Sequence, residues 1–269
     1  MSPNHERVLA LLRKYGHETT SFQVLEPGLC YWFDEDACVA YADTRRAWVA
    51  AGAPIAARDR VPEIMERFAA AARAERRRVR FFGLERDVSP LPSFSVMHIG
   101  EQPVWNPRHW ARTLAGKRSL REQLRRARAA GVKTRTVPPE ELADPHGPLR
   151  RGVDRLVSRW TAALSMAPMG FLVSLDLYHA ADERRFVIAQ CGDRVVGLLV
   201  AVPIFRRGGW FFEDVLRDPQ APNGTVELMF DHAMRMLAEQ GSTHVTFGLA
   251  PLSGPVPRWL RFIRDRSRR

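Results

Sequence analysis

The chain carries 269 residues, 45% hydrophobic and 26% charged, long enough to bury a sizeable core and too apolar to be a disordered tail. Its 41 Lys and Arg against 30 Asp and Glu give a formal charge of +11, which points to acidic partners such as nucleic acid or anionic lipid headgroups. Three cysteines with neither a CxxC nor a Cys/His spacing that suits zinc argue for reduced thiols and against a metal site.

From the N-terminus, residues 5–14 space Val8, Leu9, Leu11 and Leu12 as a short amphipathic helix, charged within its first residues and too short in apolar length for a signal peptide or anchor. The longest apolar run, Val195 to Phe205, falls far short of the ~20 residues that cross a bilayer, so membrane contact is expected to be peripheral. The aromatic and β-branched stretch from SFQVL to GAPIA is broken by EPG, DED and ADTRR, which predicts an antiparallel meander. Val61, Ile64, Met65, Phe68, Ala69 and Ala72 then recur at helical spacing. VRFFGLE predicts a short buried strand and SFSVMHIGEQPVW another.

Residues 107–131 are the most basic part of the chain. Arg118, Arg121, Arg125 and Arg128 lie at i, i+3, i+7 and i+10 of a helix whose other face carries Leu120, Leu124 and Ala127; Lys117 and Arg126 thicken the ladder and only Glu122 opposes it. Like charges at i, i+4 cost ~0.2–0.5 kcal/mol each, so the row is expected to hold a polyanion, the alternative being a solvated helix face. The Pro-rich TVPPEELADPHGP is the best candidate for a boundary, which predicts one lobe over residues 1–138 and a second over 139–269. A helix with Leu149, Val153, Leu156, Val157, Trp160 and Leu164 on one stripe follows.

The last third reads as strand, turn, strand (FVIAQ, CGDR, VVGLLVAVPIF), a strand ending in charges (GGWFFEDVLRD), a loop (APNGT), a helix and a strand with a polar exit (HVTFGLAPLSG). That order is the core of a GNAT-type acyltransferase lobe, and the first half repeats its plan without visible sequence identity. The fold class expected is therefore α/β (α+β), two GNAT-like lobes with mixed, mostly antiparallel sheets flanked by helices. A coenzyme A enzyme of this kind binds pyrophosphate on a glycine-rich loop at the helix N-terminus, but here Gly224 is the loop's only glycine, so no cofactor is expected. Asp214 and Arg217, three apart at the strand end, suit an acid that orients or deprotonates a hydroxyl and a guanidinium that stabilises charge; a surface ion pair is the plainer alternative. No GxSxG, P-loop or HExxH is present, and the histidines are scattered.

GHETTSFQVL, HIGEQPVW, LAGKRSLREQLRRARAAGV, the MGF before a strand, EDVLRDPQAPNGTVELMF and FGLAPLSG together resemble the C-terminal catalytic domain of the lysyl-phosphatidylglycerol (aminoacyl-phosphatidylglycerol) synthases over about Gly16 to Gly254. The resemblance implies a tandem GNAT fold with a tunnel between lobes and a tRNA-dependent aminoacyltransferase, moving an amino acid from aminoacyl-tRNA to the hydroxyl of a membrane lipid such as phosphatidylglycerol. Asp214 and Arg217 would be catalytic, and Asn223, Gly224, Gly248 and Ser253 would touch substrate. Lys117, Arg118, Arg121, Arg125 and Arg128 would hold tRNA or anionic phospholipid. Two departures from the family are expected: a free-standing catalytic part without the family's block of membrane helices, and a shortened second lobe ending in PVPRWLRFIRDRSRR, where Arg261, Arg264 and Arg266 would replace charge. A cytoplasmic protein at the inner face of the membrane is expected. The alternatives are a peptidoglycan-bridge type aminoacyltransferase with an amine acceptor and a non-catalytic binder of polyanions or membrane surfaces.

Overall fold

The computed structural model of the chain describes residues 2–85, 91–164, 175–251 and 253. The MGF at 169–171 and the arginines beyond residue 254 lie outside them. Two compact units form: the first takes the chain up to Val104 with Ile204–Arg207 and the chain from Thr246, the second Trp105–Pro203 with Gly208–Val245. The boundary therefore falls at Val104/Trp105, and the Pro-rich joint expected to mark it lies inside the second unit, as does the basic helix expected in the N-terminal lobe.

In the first unit, helix α1 (Pro3–Tyr15) starts at Ser2, whose hydroxyl accepts the amide of His5. Strands β1 (Cys30–Asp34), β2 (Ala37–Asp43) and β3 (Ala47–Ala51) make the expected antiparallel meander. Helix α2 (Val61–Ala74) then returns the chain so that β4 (Arg78–Phe82) lies parallel to β3. The apolar stripe of α2 enters an aromatic-rich core in which Phe68 is fully buried among Trp32, Tyr41, Trp48 and Phe81. The strand expected to be buried, β4, is instead an edge strand: Val79 and Phe81 turn toward α2, while Arg78, Arg80 and Phe82 face outward. SFSVMHIGEQPVW supplies only the short β5 (Gly100–Glu101) and β6 (Val104–Trp105).

The second unit opens with α3 (Trp110–Ala115) and α4 (Arg118–Ala129), so the basic stretch is two helices divided at Gly116. Strand β7 (Val132–Val137), the single turn α5 (Glu140–Ala143) and helix α6 (Pro148–Ala162) precede β8 (Arg185–Cys191), β9 (Arg194–Ile204) and β10 (Gly209–Arg217). Helix α7 (Thr225–Glu239), β11 (Val245–Thr246) and β12 (Ala250–Pro251) follow as the last elements among the described residues. The six-stranded sheet runs β6-β11-β10-β9-β8-β7, and β12 pairs with β5. β9 is apolar on both faces because both are covered: Val196, Leu199 and Ala201 join a core with α4 and α7, whereas Leu198 and Val200 join one with α6. Each unit thus carries meander, helix and further strand, the tandem plan expected from sequence.

Candidate functional site

The charged end of β10 is where the second unit departs from an ordinary sheet. Phe212 and Val215 pack in the core with α7, Leu216 in the core with α6, and Asp214 is half-buried between them. Next to it Glu213 forms a buried ion pair with Arg184, whose Nε donates to the His179 carbonyl at 2.9 Å. Burial pushes the Glu213 carboxyl above the usual carboxylate range, the Arg184 guanidinium opposes this, and Asp176 adds to it. Position 214 is thus the chain neighbour of a desolvated ion pair, with its side chain on the opposite side of the strand, and is itself half-buried.

Past the strand the chain turns on Asp218, 1% exposed and unnoticed in the sequence. Its Oδ2 accepts from Arg159 Nε at 2.6 Å and Arg194 Nη2 at 2.7 Å, its Oδ1 accepts the Gln220 amide at 2.9 Å, and its own amide donates to the Val196 carbonyl at 3.0 Å. Burial pushes its carboxyl up, but the Gln220 amide and the two guanidiniums outweigh it and hold the group below the usual range. Arg217 donates through Nη2 to the carbonyl of Ala221, so it clasps the same turn rather than standing in solvent. The signal was in the strand period: Asp218 is two residues past the buried Leu216, and an acid on a core-facing position needs partners.

The turn ends at Gly224, with φ +89°. A Cβ there would lie 2.2 Å from the Gln123 carbonyl oxygen of α4, so glycine is what lets the start of α7 abut α4. Asn223 beside it is exposed, and Thr225 donates its hydroxyl to the Pro222 carbonyl at 2.6 Å. Gly248 and Ser253, expected to touch substrate, belong to the first unit. Gly248 donates its amide to Thr246 Oγ1 at 3.0 Å; Ser253 Oγ accepts the Glu101 amide at 2.8 Å and donates to the Ala250 carbonyl at 2.6 Å, fastening β12 to β5.

The basic ladder is less open than its spacing suggests. Arg121 caps the C-terminal carbonyls of α3, at Leu114 and Ala115. Arg125 and Arg126 share Glu122, whose carboxyl their hydrogen bonds hold at about 2. Arg128 bonds the buried Asp231 of α7. Lys117 and Arg118 are exposed at the start of α4. Among the described residues no group of three His, Cys, Asp or Glu is placed to hold a metal ion, and no helix is long and apolar enough to cross a membrane.

The sequence profile of the family described as "Phosphatidylglycerol lysyltransferase, C-terminal" matches residues 9–267. The chain belongs to this family. Within it, the chain is similar to the lysylphosphatidylglycerol biosynthesis bifunctional protein LysX of Mycolicibacterium vanbaalenii, 26% identical over 182 residues that cover 63% of this chain and 16% of LysX. The chain thus spans about a sixth of the curated relative's length. The solved structure of L-PGS from Bacillus licheniformis is similar in fold, with a TM-score of 0.82 at 19% identity over 98% of this chain and 82% of that one. A crystal structure of FemX shares the fold more distantly, with a TM-score of 0.59 at 8% identity over 95% of this chain and 89% of that one. This phosphatidylglycerol lysyltransferase-type domain is therefore a member of a family of aminoacyltransferases built on the fold described above.

Proposed function

We propose that the chain is a tRNA-dependent aminoacyltransferase that moves an amino acid from aminoacyl-tRNA to the hydroxyl of a membrane lipid such as phosphatidylglycerol, working peripherally at the inner face of the membrane. The family match across residues 9–267 is the observation that carries this reading. The reaction exchanges one ester for another. The lipid hydroxyl attacks the carbonyl carbon of the aminoacyl ester, the bond to the terminal ribose oxygen breaks, and that oxygen takes the proton the hydroxyl gives up. Because the donor is already activated, positioning and electrostatics suffice. Asp214 accepts and returns the proton or holds the α-ammonium, and Arg217 stabilises the oxyanion or keeps the turn in place. The half-burial of Asp214 at the charged end of β10 supports these roles.

The test is transfer of labelled amino acid from charged tRNA into phosphatidylglycerol vesicles. Asp214→Asn is expected to lower kcat by about 10²-fold or more, the usual contribution of a positioned acid or base. Undiminished transfer would remove the assignment, and label in a cell-wall precursor rather than in lipid would move the acceptor to an amine.

A further inference from the structure

A groove of about 490 Å³ opens in the second unit beside α7, against the end of α4 and β7, and the proposed transfer step uses none of its side chains. Leu228, Asp231, His232 and Arg235 line it from α7, at i, i+3, i+4 and i+7, so they form one stripe; Arg128 faces them from α4 and Thr134 from β7. Asp231 is 3% exposed and accepts three hydrogen bonds of 2.9 Å, from Trp110 Nε1, Arg128 Nη2 and Arg235 Nε. Each guanidinium engages Asp231 through a single nitrogen and is more than half exposed, leaving further N–H donors for a ligand. His232 sits between the hydroxyls of Thr134, 3.3 Å from Nδ1, and Thr136, 3.0 Å from Nε2, which fixes the polar floor.

One buried carboxylate serving two guanidiniums leaves the groove positively charged, with planar donors held in place before any ligand arrives. Such a pair suits the oxygens of a phosphate. The surroundings favour a polymer of phosphates over a membrane. Along α4 the exposed Arg118, Arg125 and Arg126 continue the charge, and the last two share one carboxylate in an exposed pairing that a phosphate can displace. A membrane-seated surface would pair such cations with exposed apolar side chains. The one exposed large hydrophobic residue among the described residues of this unit, Leu164, does not line the groove. The geometry points to an RNA-backbone site in which Arg128 and Arg235, held by Asp231, grip one phosphodiester and the arginines of α4 follow the next ones. The site deepens the proposed use of aminoacyl-tRNA and rests on that reading for the identity of the RNA.

The experiment is binding of uncharged bacterial tRNA to the full chain, followed by fluorescence anisotropy from about 50 to about 200 mM salt. Arg128→Gln and Arg235→Gln each keep a donor for Asp231 while removing a charge; each is expected to weaken binding several-fold and to reduce the slope of log affinity against log salt by about 1. The double Gln variant is expected to lose about 10-fold to 100-fold. Should it fail to fold, the double Lys variant carries the test: its slope stays near wild type, because the charges remain, but it binds more weakly, because an ammonium cannot reproduce the fork. Arg78→Gln, at an exposed edge of the first unit, is expected to bind like wild type. A folded double Gln variant with wild-type affinity and slope would overturn the site, as would loss of binding to phosphatidylglycerol vesicles in place of tRNA. Uncharged tRNA without lipid makes the assay blind to transfer. A wild type that binds but never transfers would sink the proposed reaction and leave the groove, whereas transfer by the double variant with an unchanged KM for aminoacyl-tRNA would do the reverse.

Discussion

The two meander–helix–strand repeats differ most where the third strand hands over to the helix. In the first unit that junction is closed mainly by backbone: Gly52 donates to the Phe82 carbonyl at 2.8 Å, and Ile55 and Cys38 exchange amide-to-carbonyl bonds of 3.0 and 2.8 Å. With the turn closed that way, β3 reads AWVAA and can be apolar throughout. In the second unit the junction is closed by ions, with Asp218 between two arginines and Arg217 on the Ala221 carbonyl. The same topology thus leaves one strand end plain and makes the other charged and half-buried, the end at which we propose the transfer chemistry.

Phe68→Ala removes the ring at the centre of the first unit's aromatic core and is expected to cost ~3–5 kcal/mol in urea unfolding. Gly224→Ala should come next at ~2–4 kcal/mol, because its Cβ would meet a backbone oxygen and its φ is positive. At the matching place in the first unit, Gly52→Ala would meet side-chain atoms rather than backbone, the Thr20 hydroxyl at 2.8 Å and Glu18 Oε2 at 3.1 Å, which can shift, so ~1–2 kcal/mol of backbone strain remains. Equal losses at the two glycines would erase the proposed difference between the junctions.

Asp218→Asn is expected to cost ~1–3 kcal/mol at neutral pH, less than a wholly buried pair because Arg159 and Arg194 are partly exposed. Its carboxyl is held below the unfolded value, so its contribution is present above about pH 4 and is lost as pH falls through the folded value. Wild type should therefore lose more of its urea midpoint between neutral and strongly acidic pH than the Asn variant does, and parallel curves would deny Asp218 that role. The smallest effect is Glu122→Gln, which should leave the midpoint unchanged while freeing Arg125 and Arg126, visible as tighter tRNA binding at low salt.

Much of this was legible in the sequence wherever a local period decided the outcome. The stripe of α2 and the β8-to-α7 order read correctly in kind, because burial on one face imposes periods of 3.6 and 2. What tertiary partners decide was hidden. Arg128 looked like one rung of a ladder because Asp231, its partner, lies 103 residues away. The unit boundary was missed because residues 204–207 and the chain from Thr246 return to the first unit, a long-range pairing that no stretch of composition announces. That Gly224 also meets a packing requirement, its close approach to the Gln123 carbonyl, is revealed only by the approach of α4.

A role of the charged end of β10 in aminoacyl transfer is tested most directly by the single-turnover rate of amino acid transfer from charged tRNA to phosphatidylglycerol, for wild type and Asp214→Asn with matched melting temperatures. The account predicts transfer by wild type and a rate lower by about 10²-fold or more in the variant. Equal rates, or no transfer by wild type to any lipid, would contradict it.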